Sequence, residues 1–325
     1  MGRKRRSNKE LPRRVYFKHG AYYYVVDNKW IFLSKQKGEA LRVWSTLIDK
    51  PEKLVTMKDL FDRYLIEVAP LKASNTYKAN VSQMPLLERV FGHCFPDEIY
   101  PQDIYKYLDY RAQQGSPIAA NREKSLLSHV FSMAIRWGAV KDNPCRHVKR
   151  LPEKPRDRYV TDEEFLQVQS IALPVVKSMM ELAYLTGQRS GDLLNIKFDD
   201  MSDRGILIKQ SKTGKSLLIE WTDRLKECID SVKTIREEVK SNYLFCTRHG
   251  KKYTADGFSS LWQKTIILAV KKEKIKERFT FHDIRAKSAS DSETTQLASE
   301  LLGHSDSALT NRVYRRKETK VRPLK

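Results

Sequence analysis

The chain has 325 residues, too many for one ordinary domain and suited to two or three. Forty per cent apolar residues is enough for hydrophobic cores and excludes a disordered chain. Sixty-one Lys and Arg against 40 Asp and Glu leave a net charge of +21, an excess that seeks a polyanion such as DNA or RNA.

Charge alone leaves a ribosome-associated or merely basic protein open, because counterion release binds phosphate backbones without reading sequence. Cys94, Cys145, Cys228 and Cys246 lie far apart, with no CxxC and no His at ligand spacing. Neither a metal site nor a disulfide framework is expected, and reduced thiols suit an intracellular protein. No apolar run approaches the roughly 18 residues of a membrane span, so no membrane partner is expected. The basic N-terminus lacks the apolar stretch of a signal peptide.

The opening MGRKRRSNKELPRR sets Arg3, Lys4, Arg5, Arg6, Lys9, Arg13 and Arg14 against the single acid Glu10. It reads as a solvated tail or as a DNA-contacting arm. Val15–Phe17, Ala21–Val26 and Trp30–Leu33 predict three short strands, turning at Lys18-His19-Gly20 and Asp27-Asn28-Lys29. A helix follows around Lys37–Ile48, and the aromatic residues of so small a sheet are expected to pack on it. A basic arm fused to a small sheet favours groove binding.

From residue 56 the period becomes helical. Thr56 to Asp59 resembles a capping box, and Leu60, Tyr64 and Val68 continue one apolar face. Further helices are predicted over Ser74–Phe91, from Pro101, and along the stripe Leu126, Leu127, Val130, Phe131, Ala134 and Ile135. Gly138 and Asn143-Pro144 end that run. His147–Arg158, with two prolines and many charges, reads as a linker.

Thr161-Asp162-Glu163-Glu164 opens the last segment as a helix start, and Pro174–Gln188 predicts an apolar helix. Ile206–Ile208 and Leu217–Ile219 read as a hairpin through Ser211-Lys212-Thr213-Gly214. Helices dominate from there on, one of them entered through Phe279-Thr280-Phe281.

Several residues here have chemistry to offer, each with an ordinary alternative. Arg189 lies between Gly187 and Gly191, with Asp192 in i+3 reach, as an oriented phosphate clamp or a surface ion pair. Lys212 sits at a hairpin tip, where lysines are usually solvated. His282 and Arg285 at i, i+3 share one helix face, which suits an oxyanion or a surface network with Asp283. His304 follows Leu301-Leu302-Gly303 and could simply cap a helix end. Tyr314 stands in VYRR near the C-terminus, a place where tyrosines commonly pack.

Together and in this order they are specific. Arg189 in TGQRSGDLL, Lys212 in QSKTGK, His282 and Arg285 in HDIR, His304 in LLGHS and Tyr314 in VYRR resemble the active-site series of the tyrosine recombinases of the phage-integrase kind. The segment ending WGAVKDNPC looks like that family's core-binding domain. The N-terminal stretch through YYYV is similar to the arm-binding domain of its lambda integrase branch. One departure stands out. His304 and Tyr314 are 314 − 304 = 10 positions apart, one more than the family's usual nine.

The resemblance implies a multidomain, mainly α protein with small β-sheets. An arm-type DNA-binding domain would span 1–55, a helical core-binding domain 56–150, a linker 151–158 and an α+β catalytic domain 159–325. It implies site-specific recombination through a 3′-phosphotyrosine and a Holliday junction, for integration and excision of a mobile element. Tyr314 would be the nucleophile, Arg189 and Arg285 the clamps on the phosphate oxygens, and His282 the proton acceptor. His304 would hydrogen-bond the phosphate, Lys212 would protonate the leaving 5′ oxygen, and Asp192 would hold Arg189. Arg3, Lys4, Arg5, Arg6, Arg13 and Arg14 would contact DNA. No cofactor and no metal are implied. The partners would be core-type and arm-type duplex sites, a homotetramer on DNA, a host DNA-bending protein and an excisionase, in a bacterial cytoplasm near the nucleoid. A type IB topoisomerase has a similar site but relaxes one strand, and the arm-like domain argues against it. A catalytically silent DNA-binding regulator would have no need of Tyr314.

Overall fold

A computed structural model of the chain describes residues 11–12, 14–26, 29–47, 55–236 and 239–318, with only the backbone of 45 and 46. Of the predicted arm residues, Arg3, Lys4, Arg5, Arg6 and Arg13 lie outside the described residues. The chain divides into two units, Met1–Glu153 and Lys154–Lys325, at a point inside the predicted linker.

The first unit opens with an antiparallel sheet in the order β1 (Val15–Lys18), β2 (Ala21–Val26) and β3 (Lys29–Ser34), followed by α1 (Lys37–Leu47). His19 and Gly20 make the first turn with φ of 50° and 76°, the left-handed conformation a tight hairpin requires. Strand alternation splits the aromatic residues between two faces. Tyr22 and Tyr24 pack with Val15, Leu33, Ala40, Val43 and Trp44 on the helix side. Tyr16, Tyr23, Trp30 and Phe32 gather on the other side, with ring centroids 5.5–6.0 Å apart. Tyr16, Trp30 and Phe32 are exposed there, so the expectation that the aromatics pack on the helix holds for one face only.

A separate helical core follows, built from α2 (Met57–Glu67), α3 (Ser74–Phe91), α4 (Pro101–Gln113) and α5 (Pro117–Arg136). Thr56 accepts from Asp59 N while the Asp59 carboxylate takes the Thr56 N–H, which completes the capping box. Pro101 and Pro117 start their helices where a missing N–H costs nothing. The stripe predicted on α5 buries Leu126, Leu127, Val130, Phe131 and Ala134 against Leu60, Phe61, Leu87 and Leu108. Glu123 is buried in the same core and satisfied by Arg111 at 2.7 Å and Tyr107 at 2.6 Å.

The second unit runs through α6 (Asp162–Ile171), α7 (Pro174–Thr186) and the short α8 (Ser190–Leu193). An antiparallel sheet β4 (Met201–Ser202), β5 (Gly205–Lys209) and β6 (Ser216–Glu220) comes next. Helices α9 (Asp223–Ile235), α10 (Ala255–Lys271), α11 (Phe281–Asp291), α12 (Thr295–Leu302) and α13 (Ser307–Val313) complete it. The predicted helix over Pro174–Gln188 ends two residues early, because Gly187 takes a left-handed φ of 64° and Gln188 leaves the helix. The core joins Met179, Met180 and Leu182 of α7 to Ile206, Ile208, Ile229, Trp262, Phe281 and Ile284. Burying each such side chain contributes roughly 1.5–3 kcal/mol. Among the described residues no helix is long and apolar enough to cross a membrane.

Candidate active site

Three loop junctions in the second unit carry the candidate residues: the α7–α8 turn, the β5–β6 hairpin and the α12–α13 turn. Helix α11 lies among them. Gly187 and Gly303 end α7 and α12 with φ of 64° and 70°. A Cβ at Gly303 would meet Gln210 Nε2 at 2.8 Å and Leu217 Cδ1 at 2.9 Å, so both the backbone sign and the space demand glycine.

Two buried amides tie the junctions together. Gln188 Nε2 donates to the carbonyls of Thr186 (2.9 Å) and Leu301 (2.7 Å). Gln210 Nε2 donates to Gln188 Oε1 (2.8 Å) and the Leu302 carbonyl (2.9 Å), and Thr213 donates to Gln210 Oε1 at 2.8 Å. Neither glutamine carries a sequence signal beyond standing next to Arg189 and next to the hairpin tip.

Arg285 is buried to 1% exposure on α11. One terminal nitrogen donates to the Gly187 carbonyl, the other to the Leu302 carbonyl at 2.8 Å, and the latter also lies 3.1 Å from His304 Nε2. Its guanidinium sits over the Tyr314 ring, 5.4 Å from the centroid. Burial, then the neighbouring Arg189, pushes the Arg285 pKa down. Its Nε, and Nη1 of Arg189, are buried without a hydrogen-bond partner among the described residues. A buried N–H donor left open, as Arg285 Nε is, invites an anion, whereas Arg189 Nη1 already faces the carboxylate of Asp192.

Arg189 is half-buried, its Nη1 3.8 Å from Asp192 Oδ2. The hydrogen bonds of Asp192 go elsewhere: Oδ1 accepts from Ser211 N at 2.8 Å and Ser211 Oγ at 2.6 Å. Asp192 thus anchors the base of the hairpin as well as facing Arg189. Lys212 is exposed next to Ser211 and makes no hydrogen bond, ion pair or ring contact with the other five among the described residues.

Tyr314 is 9% exposed at the end of α13, its hydroxyl 3.4 Å from His282 Nε2. The ten-position spacing is taken up by an Asp306 cap and the seven-residue α13, which deliver the ring 5.0 Å from that of His304. His282 is exposed by area yet ringed by protein; burial, then Arg285, lowers its pKa. Burial, then Arg285 and Arg189, lowers that of His304 to about 4. Its Nδ1 lies 2.8 Å from Thr310 Oγ1, which lies 2.9 Å from Ser299 Oγ. Among the described residues no three His, Cys, Asp or Glu side chains stand close enough to hold a metal ion.

The structure therefore brings together Arg189, His282, Arg285, His304 and Tyr314 around open cationic donors, with Asp192 behind them. Such a group can grip a tetrahedral oxyanion beside a hydroxyl and a neutral imidazole. Residues 161–320 match the phage integrase family. The chain belongs to that family. The integrase of Enterobacteria phage 434 is 26% identical to it over 265 residues, 72% of this chain and 74% of that one. A lambda integrase dimer bound to a COC′ core site superimposes with a TM-score of 0.70 at 23% identity, covering 97% of this chain and 99% of that one. A lambda integrase tetramer bound to a Holliday junction gives 0.71 at 22%, covering 98% and 99%. The structural likeness extends the shared fold beyond the matched domain, and the relatives place the chain among the tyrosine recombinases of the lambda integrase branch.

Proposed function

We propose that this chain is a site-specific DNA recombinase that cuts and rejoins duplex DNA through a 3′-phosphotyrosine at Tyr314. It would carry a phage, prophage or other mobile element into and out of a host chromosome. The observation that carries this reading is the Arg285 guanidinium over the Tyr314 ring, with its Nε buried and unpaired among the described residues and the tyrosine hydroxyl 3.4 Å from His282 Nε2.

A phosphodiester concentrates negative charge on its non-bridging oxygens as it reacts. Arg189 and Arg285 donate to those oxygens from a preorganised, water-poor setting. The Tyr314 oxygen attacks phosphorus, the bond to the 5′ oxygen breaks, and the phenolic proton passes to His282. His282 suits that task because its lowered pKa leaves it neutral and able to accept. Lys212, free at its hairpin tip, protonates the departing 5′ oxygen. Each transfer exchanges one phosphodiester for another, so the bond energy is conserved and no ATP is consumed. The 5′ hydroxyl of a partner duplex then attacks the phosphotyrosine, His282 returns the proton, and a second round resolves the Holliday junction.

His304 Nε2 faces the Arg285 guanidinium, which can only donate, so the imidazole accepts there and orients Arg285. With a phosphate held at the arginines, His304 would hydrogen-bond one of its oxygens.

Residues 1–55 would bind arm-type sites through Arg3, Lys4, Arg5, Arg6, Arg13 and Arg14, and residues 56–150 would clamp core-type sites. A homotetramer on DNA, aided by a host DNA-bending protein and an excisionase, would complete the assembly, beside the nucleoid in a bacterial cytoplasm. The test is a nicked substrate carrying the attachment core, on which religation is blocked. Wild type accumulates a covalent protein–DNA adduct and Tyr314→Phe does not. Absence of an adduct from wild type on its authentic site overturns the reading.

A further inference from the structure

Helix α11 has two polar faces, and the mechanism uses only one. His282 and Arg285 point to the open donors. Asp283, Lys287, Ser290 and Asp291 recur at i, i+4, i+7 and i+8 along the other side, and the first three are buried to 4%, 1% and 5% exposure. Polar groups buried this deeply must have partners. Lys287 finds its partners in Tyr159, Asp162 and Asp291, whereas Ser290 and one oxygen of Asp283 turn to the chain at and just after Tyr314.

Ser290 Oγ donates to the Tyr314 carbonyl at 3.0 Å and accepts the Arg316 amide at 2.8 Å, so one hydroxyl brackets the tyrosine's own main chain. Asp283 uses its two oxygens separately. Oδ2 accepts from Thr280 N and Thr280 Oγ1, both at 2.7 Å, and caps α11, while Oδ1 accepts Arg316 Nη1 at 2.6 Å. This ion pair is nearly dry, with side chains 6% and 5% exposed. Arg316 Nη1 also donates to the Arg158 carbonyl at 3.2 Å, and Arg156 Nη1 lies 3.5 Å from Asp283 Oδ2. Burial raises the Asp283 carboxyl, but the Thr280 hydrogen bonds and Arg316 outweigh it and hold its pKa low. Further out, Lys317 pairs with Asp291 at 3.3 Å.

Helix α13, by contrast, is seven residues long and buries only Thr310. A helix so short has little stability of its own. The place of Tyr314 at its end is therefore set by the packing of the tyrosine ring against Ala286, Ala289, Ala298 and Leu302 and by what grips the chain beyond it.

We propose that Asp283, acting through Arg316, and Ser290, acting on the main chain, are positioning residues that hold Tyr314 for attack. They touch no reacting atom. Their contribution is to keep the phenolic oxygen beside His282 and the open donors of Arg285, on the helix that carries both. The proposal rests on Tyr314 being the nucleophile.

The test uses the full chain on the nicked core substrate at saturating protein, with DNA affinity and thermal melting measured in parallel. Asp283→Asn suits it because the amide oxygen can still cap Thr280 while its NH2 faces Arg316 and cannot accept. Arg316→Gln is the matching change on the other side. Each is expected to slow single-turnover adduct formation by about tenfold to 10²-fold, as a misplacement of about 1 Å does, at near wild-type DNA affinity. The double variant should be no slower than the slower single variant, since both break one contact. Arg316→Lys should recover much of the rate. Wild-type rates in both single variants, losses that track DNA affinity, or losses that multiply in the double variant overturn the proposal. If wild type gives no adduct, or Tyr314→Phe still gives one, it is the nucleophile assignment that fails.

Discussion

Nη2 of Arg285 lies 3.1 Å from Nε2 of His304, and that contact fixes the state of the histidine. A guanidinium has no acceptor, so Nε2 must accept and carry no proton. The proton then sits on Nδ1 and points to Thr310 Oγ1 at 2.8 Å. Ser299 Oγ donates to the same Thr310 oxygen at 2.9 Å and also lies 2.8 Å from the Thr295 carbonyl. The neutral tautomer and the pKa near 4 describe the same arrangement.

The first prediction concerns pH and stability. The folded pKa of His304 lies below the unfolded value of about 6.5, so between about 4 and 6.5 the unfolded chain binds more protons. Stability therefore falls as pH is lowered through that window. His282, depressed in the same sense, adds to the slope. Thermal melting at pH 7.5, 6, 5 and 4.5 should show a smaller decline for His304→Gln than for wild type. An unchanged slope contradicts the assignment. The carboxylates Asp283 and Asp291, whose pKa values are lowered, add their losses only below about 4.

A second prediction follows the same relay. Thr310 is fully buried, and Thr310→Val keeps its shape while removing the oxygen between His304 and Ser299. Leaving such groups unpaired costs about 1–3 kcal/mol, read as a lower urea midpoint. Adduct formation should also slow, by about tenfold, because Arg285 loses its oriented neighbour. Wild-type cleavage from a destabilised variant would limit Thr310 to a structural role.

Third, Gln210→Leu should leave Gln188 Oε1 and the Leu302 carbonyl without their donor. The expected destabilisation is again about 1–3 kcal/mol, with a larger loss of cleavage than of DNA binding. Equal stability in urea contradicts the view that this amide pair locks the three junctions.

Fourth, Lys212→Ala should slow cleavage far more than it weakens binding. A substrate with sulfur in place of the bridging 5′ oxygen offers a leaving group that needs no proton, and it should restore the rate. A loss explained by weaker binding, or one that sulfur leaves unchanged, reduces Lys212 to a phosphate contact.

Local chemistry made much of this fold legible in the sequence. The capping residues Thr56 and Thr161, the prolines at 101 and 174, and the apolar stripe from Leu126 to Ala134 each state a preference that the packing does not oppose. Strand β4 was not legible, because it is only two residues long, Met201 and Ser202, and turns straight into β5 through Asp203-Arg204. The candidate series was legible through its order along the chain. Its support was not: Gln188, Gln210 and Thr310 are polar residues whose burial depends on segments distant in sequence. Asp283 read as a surface partner of His282 and Arg285, whereas it is buried against Arg316. The outward aromatic face of the first sheet escaped notice because a run of Tyr and Val conceals its own alternation.

The central claim is that Tyr314 is the residue joined to DNA. The most direct measurement traps the adduct on the nicked core substrate, digests protein and DNA, and maps the nucleotide-bearing peptide by mass spectrometry. The account predicts a 3′-nucleotide on the peptide containing Val313-Tyr314, at the Tyr314 oxygen, and none in Tyr314→Phe. A nucleotide on any other residue, or no adduct from wild type on its own attachment core, would contradict it.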